Sequence, residues 1–237
     1  MESFNKLALG ATGWGDELLF GALMTVTLAI SSLVVGFFIG AQLAFLKLQP
    51  IKSVRGFAHL ITLLFRGTPE FLIILVVFFG LDALINATLS AFLFDTSVSI
   101  PKFWAGTIGL GLIFGVYASE VLKAAYQAVP QLTLEAARAL GLNFHQALIQ
   151  IHIPLMWRHA LPGLMNLWLV LLKDTSLVAV IAFDELLRTA KVAGETEREP
   201  FIFFCAAALL YLLMTWLSDL IRKAIAKRVS IVGAHGC

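Results

Sequence analysis

Charged residues stand inside stretches that are otherwise apolar, and their types limit the chemistry open to the chain. Arg66 and Glu70 interrupt the run from Gly56 to Leu81, Lys173 and Asp174 interrupt Ala160 to Phe183, and Glu120 lies near one end of Phe103 to Leu122. A carboxylate held away from water can receive a guanidinium or ammonium group through charge-assisted hydrogen bonds that no neutral side chain matches. Glu70 therefore stands as a specificity residue for a cationic solute, with Arg66, Thr68, Tyr117, Glu120, Lys173 and Asp174 as further substrate-binding candidates. A second reading of these residues needs no solute. Arg66 and Glu70 would pair at i, i+4, and Lys173 and Asp174 would serve a structural pair across helices. His145, His152 and His159 recur at even spacing, but Pro154 interrupts the stripe and no carboxylate joins it at ligand spacing. They read as surface or packing histidines, and no metal or other cofactor is expected on this chain. No nucleophile–base pair is recognisable by spacing, so an enzyme is the poorest reading.

What must position these groups is a bundle of membrane helices. The chain has 237 residues, 59% of them hydrophobic and 14% charged, with mean hydropathy +0.90. Soluble domains are about 45–50% apolar and about 25% charged, so a soluble enzyme or binding module is excluded, and disorder with it. The formal net charge of +2 suggests no nucleic-acid partner. Cys205, in an apolar run, and Cys237, at the end, make no disulfide framework and no CxxC pair. The first apolar run is too long for a cleavable signal, and Asp16-Glu17 precede it where basic residues would be expected, so the N-terminus is read as retained.

A hydrocarbon core about 30 Å thick needs roughly 20 helical residues. Leu18 to Leu46, Gly56 to Leu81, Phe103 to Leu122, Ala160 to Phe183 and Phe201 to Ser218 then give an all-α integral membrane fold of about five crossings. An odd number puts the termini on opposite sides. Lys47, Lys52, Arg55, Lys123, Arg138, Arg158, Arg222, Lys223, Lys227 and Arg228 would share one side, against Lys6, Lys102, Arg188, Lys191 and Arg198 on the other. The second side also holds Asp16, Glu17, Asp82, Asp95, Asp184, Glu185, Glu195, Glu197 and Glu199, so the N-terminus is expected outside and the C-terminus inside. Residues 1–237 read as one transmembrane domain. Five helices are few for a polar pathway, which calls for a partner subunit. Gly36-x3-Gly40 and Gly111-x3-Gly115 permit close helix approach, read first as packing within the chain.

Counted at 1.5 Å per residue, Arg66 lies roughly 16 Å from Arg55 and Lys173 roughly 21 Å from His159, both in the middle of the core. Gly67 and Pro69 should loosen the second helix there, because Pro lacks a backbone donor and restrains Thr68. A broken helix near midplane is a common way to build a transport site.

Between the third and fourth crossings lies an inner loop, about 129–154, containing Thr133-Leu-Glu-Ala-Ala-Arg-Ala-Leu-Gly141. Thr133 is placed to cap a short helix with Glu135 in its first turn, and Leu134, Ala137 and Leu140 share a face. Gly141 can end it in the left-handed conformation. Asn143 would then start a helix from Phe144 to Ile153, closed by Pro154. Spacing alone leaves two uses for the first helix: seating in another protein's groove, or lying on lipid.

The order Glu135-Ala136-Ala137, Gly141, Ile151-x-Ile153-Pro154 resembles the EAA loop of ABC importer permease subunits, with Ile153 where Leu is usual and Gln131-Leu132 where Lys-Gly is common. Arg66-Gly67-Thr68-Pro69 is similar to the RG-x-P element of the polar amino acid family. Leu161-Pro162-Gly163, Asn166 and Leu172-Lys173-Asp174-Thr175-Ser176-Leu177 are similar to its fourth helix. Met156 to Pro162 and Glu199-Pro200-Phe201 resemble the Q-type subunits of histidine, arginine and opine permeases.

That resemblance implies a type I importer permease of the bacterial inner membrane. It would be paired with a second permease subunit, a paralogue, and driven by two separate ATPase subunits holding ATP and Mg. A periplasmic solute-binding protein would feed it, docking on Asp184 to Glu199. Glu135, Ala136, Ala137, Arg138 and Gly141 would form the coupling helix. The cargo would be histidine, arginine, lysine, ornithine or an opine. The chain itself has no GxxxxGK[ST] loop, and Gly109-x-Gly111 sits in an apolar span rather than a strand-to-helix turn. The alternative is a gradient-driven transporter or channel for a cationic solute using Glu70 or Lys173 as a proton-linked group, which leaves the inner helix without a purpose.

Overall fold

Small side chains recur along the first helix, α1 (Gly15–Leu48), at Gly21, Thr25 and Ala29 and again at Ser32, Gly36, Gly40 and Ala44, and all are buried. Spacing of four keeps them on one face, so a second backbone can approach closely. The structure is a computed structural model describing residues 6–10, 13–91 and 99–231, with side chains as far as 225. Asp95 and Cys237 lie outside the described residues, as do the side chains of Lys227 and Arg228.

The further helices are α2 (Lys52–Gly67), α3 (Glu70–Ala91), α4 (Lys102–Ala128), α5 (Gln131–Ala139), α6 (Phe144–Ala147), α7 (Ile153–Asp174), α8 (Leu186–Glu197) and α9 (Pro200–Ile231). No strand occurs among the described residues. Five helical runs are long and apolar enough to cross a membrane: Gly15–Leu48, Glu70–Ala91, Lys102–Ala128, Phe144–Ile181 and Pro200–Ile225. The central helix is α4, whose Gly106, Gly109, Gly111 and Gly115 are buried among α1, α3 and the turn after α7. Gly36 and Gly40 meet Gly111 and Gly115 across the α1–α4 seam, so the paired glycine motifs pack within one chain as expected. The core around Leu28, Ile74, Leu110, Phe114, Leu122, Leu164, Leu171 and Val178 joins α1, α3, α4 and α7.

Three expected boundaries are corrected. The second crossing is not one helix from Gly56 to Leu81: it divides at Thr68 and Pro69, and of its two parts only α3 is long and apolar enough to span by itself. The proline forces Thr68 into extended backbone, φ −103 and ψ 137. The short inner helix begins after Pro130 rather than at Thr133, so Thr133 makes no cap and Glu135 falls outside the first turn. Proline's fixed φ and missing N–H suit a helix start. Pro154 does not close a helix. A five-residue π turn, Leu148–His152, precedes α7, and Pro154 sits in its first turn, where no donor is needed. The helical path then runs through a 3-10 segment, Thr175–Ile181, to left-handed Ala182 at φ 58.

Candidate functional site

The break in the second crossing gives Arg66 and Glu70 opposite backbone partners. Arg66 lies in the last turn of α2, at the negative end of its dipole, and Glu70 opens α3, at the positive end. The Arg66–Glu70 ion pair of the second reading does not form: neither residue has an ion-pair partner within 4.0 Å among the described residues. Both turn instead on Tyr117 of α4. The Tyr117 hydroxyl donates to Glu70 Oε1 at 3.3 Å, and the Arg66 guanidinium lies 6.0 Å from the ring centroid, near the outer limit of a cation–π contact. Asp174, the last residue of α7, shares a narrow crevice with Tyr117, Leu167 and Leu171.

Four of the candidates are therefore brought to one layer: Arg66, Glu70, Tyr117 and Asp174. Thr68 has its hydroxyl committed to the Leu64 carbonyl at 2.8 Å, tying down the end of α2. Lys173 is exposed and does not line the crevice with Asp174. Glu120 belongs to a different contact. It accepts from Lys47 at 2.8 Å, and Lys47 also donates to Ser119 Oγ at 2.6 Å. Lys47, an inner-loop cation by its place in the sequence, is only 1% exposed. The signal was present in the sequence, because Lys47 follows Leu43 and Ala44 at the spacing that continues the buried face of α1.

Glu185 is a second group that sequence reasoning placed in a loop. Its carboxylate accepts from the backbone N–H groups of Leu187 and Arg188, both at 2.8 Å, and caps α8. Tyr211 of α9 donates to it at 3.0 Å. Burial pushes its pKa up to about 7, although all three donors favour the charged form. Leu186, whose N–H donates to Thr25 Oγ1 of α1, completes the junction of three helices.

At the other end of the bundle, Gly141 takes φ +92. The Gly141 N–H donates to Arg138 and the Leu142 N–H to Ala137, at 3.0 and 3.2 Å, so the last carbonyls of α5 are satisfied by a Schellman turn. Asn143 and Gln146 then exchange side-chain and backbone bonds as a capping box for α6. Ala137 is buried, while Glu135, Ala136 and Arg138 are exposed. Leu132 and Leu140 are 74% and 86% exposed, so Leu140 departs from the face shared with Ala137. The short helix thus has closed ends and two bare leucines. Behind it His152 packs on Tyr126, with ring centroids 4.3 Å apart, while His145 and His159 are exposed.

Residues 32–231 match the family described as binding-protein-dependent transport system inner membrane component. The chain belongs to this family. The permease is 38% identical to the nopaline transport system permease protein NocQ of Agrobacterium fabrum, over 90% of this chain and 91% of that one. It is 39% identical to the arginine ABC transporter permease protein ArtQ of Haemophilus influenzae, over 85% of this chain and 89% of that one. It is 34% identical to the histidine/lysine/arginine/ornithine transport system permease protein HisQ of Salmonella typhimurium, over 92% and 96%. Among solved structures, an amino acid ABC transporter crystallised with histidines aligns with TM-score 0.77 and 28% identity, covering 91% of the permease and 95% of that chain. An inward-facing methionine ABC transporter aligns with TM-score 0.74 at 14% identity, covering 91% and 97%, which shows the shared fold. The fold is that of type I ABC importer permeases. The permease is a multi-pass membrane protein and a transport subunit of a larger transporter complex.

Proposed function

We propose that this permease is half of the translocation path of an ATP-driven importer for basic amino acids or opines in the bacterial inner membrane. Its partners are a paralogous second permease, two ATPase subunits that hold ATP and Mg, and a periplasmic solute-binding protein. The N-terminus lies outside in this reading, the orientation that the distribution of basic residues favours. The α5 end therefore faces the ATPases, and Asp184 to Glu199 faces the receptor. Movement of α5, passed through the π turn to α7, shifts Asp174 relative to Tyr117 and so opens or closes the acidic layer.

One observation carries the substrate class. Glu70 and Asp174, on separate helices, both approach Tyr117, and no described lysine or arginine closes on either within ion-pair distance. Unneutralised acids at membrane depth need a cation, and the solute can supply it. The relatives named for nopaline, arginine and histidine/lysine/arginine/ornithine transport support the same class.

The test is equilibrium binding of L-arginine and its neutral isostere L-citrulline to the solubilised complex without the receptor. Glu70→Gln is expected to weaken arginine about tenfold, the loss of one charge-assisted bond, and to leave citrulline within about twofold. Equal loss for both ligands would sink the reading.

A further inference from the structure

Between α1, α7 and α9 lies a groove of about 630 Å³ whose walls include Val34, Phe37 and Phe38 of α1, Trp157 and Trp168 of α7, and Ile221 of α9. Phe37 and Trp157 meet edge to face, with ring centroids 5.8 Å apart. Along α7 the lining runs from Trp157 to Trp168, about 16 Å of rise, which is the depth of one leaflet in a hydrocarbon core about 30 Å thick. Val34 and Phe38 are 51% and 63% exposed, so the groove is open on its α1 side. The indoles aside, only Ser218 and Arg222 bring polar side chains to its lining. Both stand at the end of the groove that Trp157 marks. Trp157 is in the second turn of α7, which enters the membrane from the α5 side, and Arg222 lies about 33 Å of rise along α9 from Pro200.

The charges at that end do not balance. Asp219 accepts from Arg222 Nη2 at 2.6 Å and from Lys223 at 2.9 Å. Two cations share one carboxylate, which leaves one positive charge at the mouth of an apolar slot. The Ser218 hydroxyl has no hydrogen-bond partner among the described residues. An apolar helix of another protein would cover the slot and bring no anion to its mouth. A glycerophospholipid with a phosphodiester head group brings one negative charge and a chain of leaflet depth, and basic pockets between membrane helices on the cytoplasmic side suit such head groups. We propose that the groove holds an acyl chain of an anionic phospholipid, with its phosphate at Arg222 and Lys223 and Ser218 donating to a phosphate or ester oxygen. The site lies in the inner leaflet when the N-terminus is outside, and it does not depend on the identity of the cargo.

The probes are dioleoylphosphatidylglycerol and dioleoylphosphatidylcholine, which share their chains and differ in net charge. Each is titrated into the solubilised complete complex, and the lipids retained are counted by native mass spectrometry. The unaltered complex is expected to hold the glycerol lipid about fivefold more tightly, the effect of one net charge near the membrane surface. Arg222→Gln leaves Lys223 balanced by Asp219 and should bring the two lipids within about twofold of each other. Asp219→Asn leaves both cations unbalanced and should raise the preference by about a further fivefold. Val34→Trp, at an exposed position of the groove wall, should remove one retained lipid per copy of this chain. Each variant is first matched to the unaltered complex in thermal midpoint. Equal retention of the two lipids by the unaltered complex, or a preference that neither charge change moves, would overturn the proposal. So would loss of the second permease from a Val34→Trp complex of unchanged midpoint, which would make the groove a seat for a protein helix.

Discussion

A methyl group added to Gly36 would stand 2.5 Å from the carbonyl oxygen of Gly111, a backbone atom, and 2.8 Å from the Phe114 ring. The α1–α4 seam is thus a backbone-to-backbone contact, and it sets the position of the helix that carries Tyr117 and Glu120. Gly36→Ala should cost about 1–3 kcal/mol, the usual range for overpacking a tight interface. Thermal unfolding of the solubilised permease would show it. Gly56→Ala is the control, since nothing lies within 4 Å of its added Cβ, and it should leave the midpoint unchanged or raise it, Ala being the better helix former.

Gly141 tests the coupling helix in the opposite way. Open space surrounds it, so bulk is tolerated and only the left-handed φ of +92 resists a side chain. Gly141→Val should undo the turn that closes α5 and abolish ATP-driven uptake, while membrane insertion and cellular level persist. Gly141→Asn, the residue after glycine most at ease in that region, should keep a substantial part of the uptake. Equal uptake by the valine variant and the unaltered protein would remove α5 from the mechanism.

Glu185 gives the permease a pH-dependent stability at the α8 end. Its pKa rises from 4.5 to about 7 on folding, so the folded state binds the extra proton in that window. The stabilisation is complete below about pH 4.5 and is lost as pH rises through about 7. The slope cannot exceed about 1.4 kcal/mol per pH unit for one proton. Thermal midpoints between pH 5 and pH 7 should fall with rising pH, and Glu185→Gln should flatten that dependence. A slope unchanged by the substitution would assign it to other groups.

The number of crossings, the glycine seam and the left-handed Gly141 were legible because each rests on local rules: apolar length, spacing of four, and a residue type matched to one region of φ. The acidic layer was legible in part. Glu70, Tyr117 and Asp174 announce themselves as polar groups in apolar runs, but whether Arg66 closes on Glu70 depends on the angle between α2 and α3 at Pro69. Periodicity does not contain that angle. The burial of Lys47 and Glu185 was missed for one reason: a count of loop charges treats every ionisable residue near a span as solvated. Lys47 finds Glu120 and Ser119 far along the chain, and Glu185 finds Tyr211. The π turn was invisible because Pro154 signals a helix end equally well as a helix start.

Energy coupling is the claim on which the rest depends, and uptake in sealed vesicles tests it most directly. The complete complex is reconstituted with receptor outside and ATP inside, and every ion gradient is collapsed. L-arginine should accumulate under these conditions, stop when ATP is withheld, and stay outside when this chain is reconstituted without the ATPase subunits. Accumulation driven by an imposed proton gradient, with no ATPase present, would contradict the account.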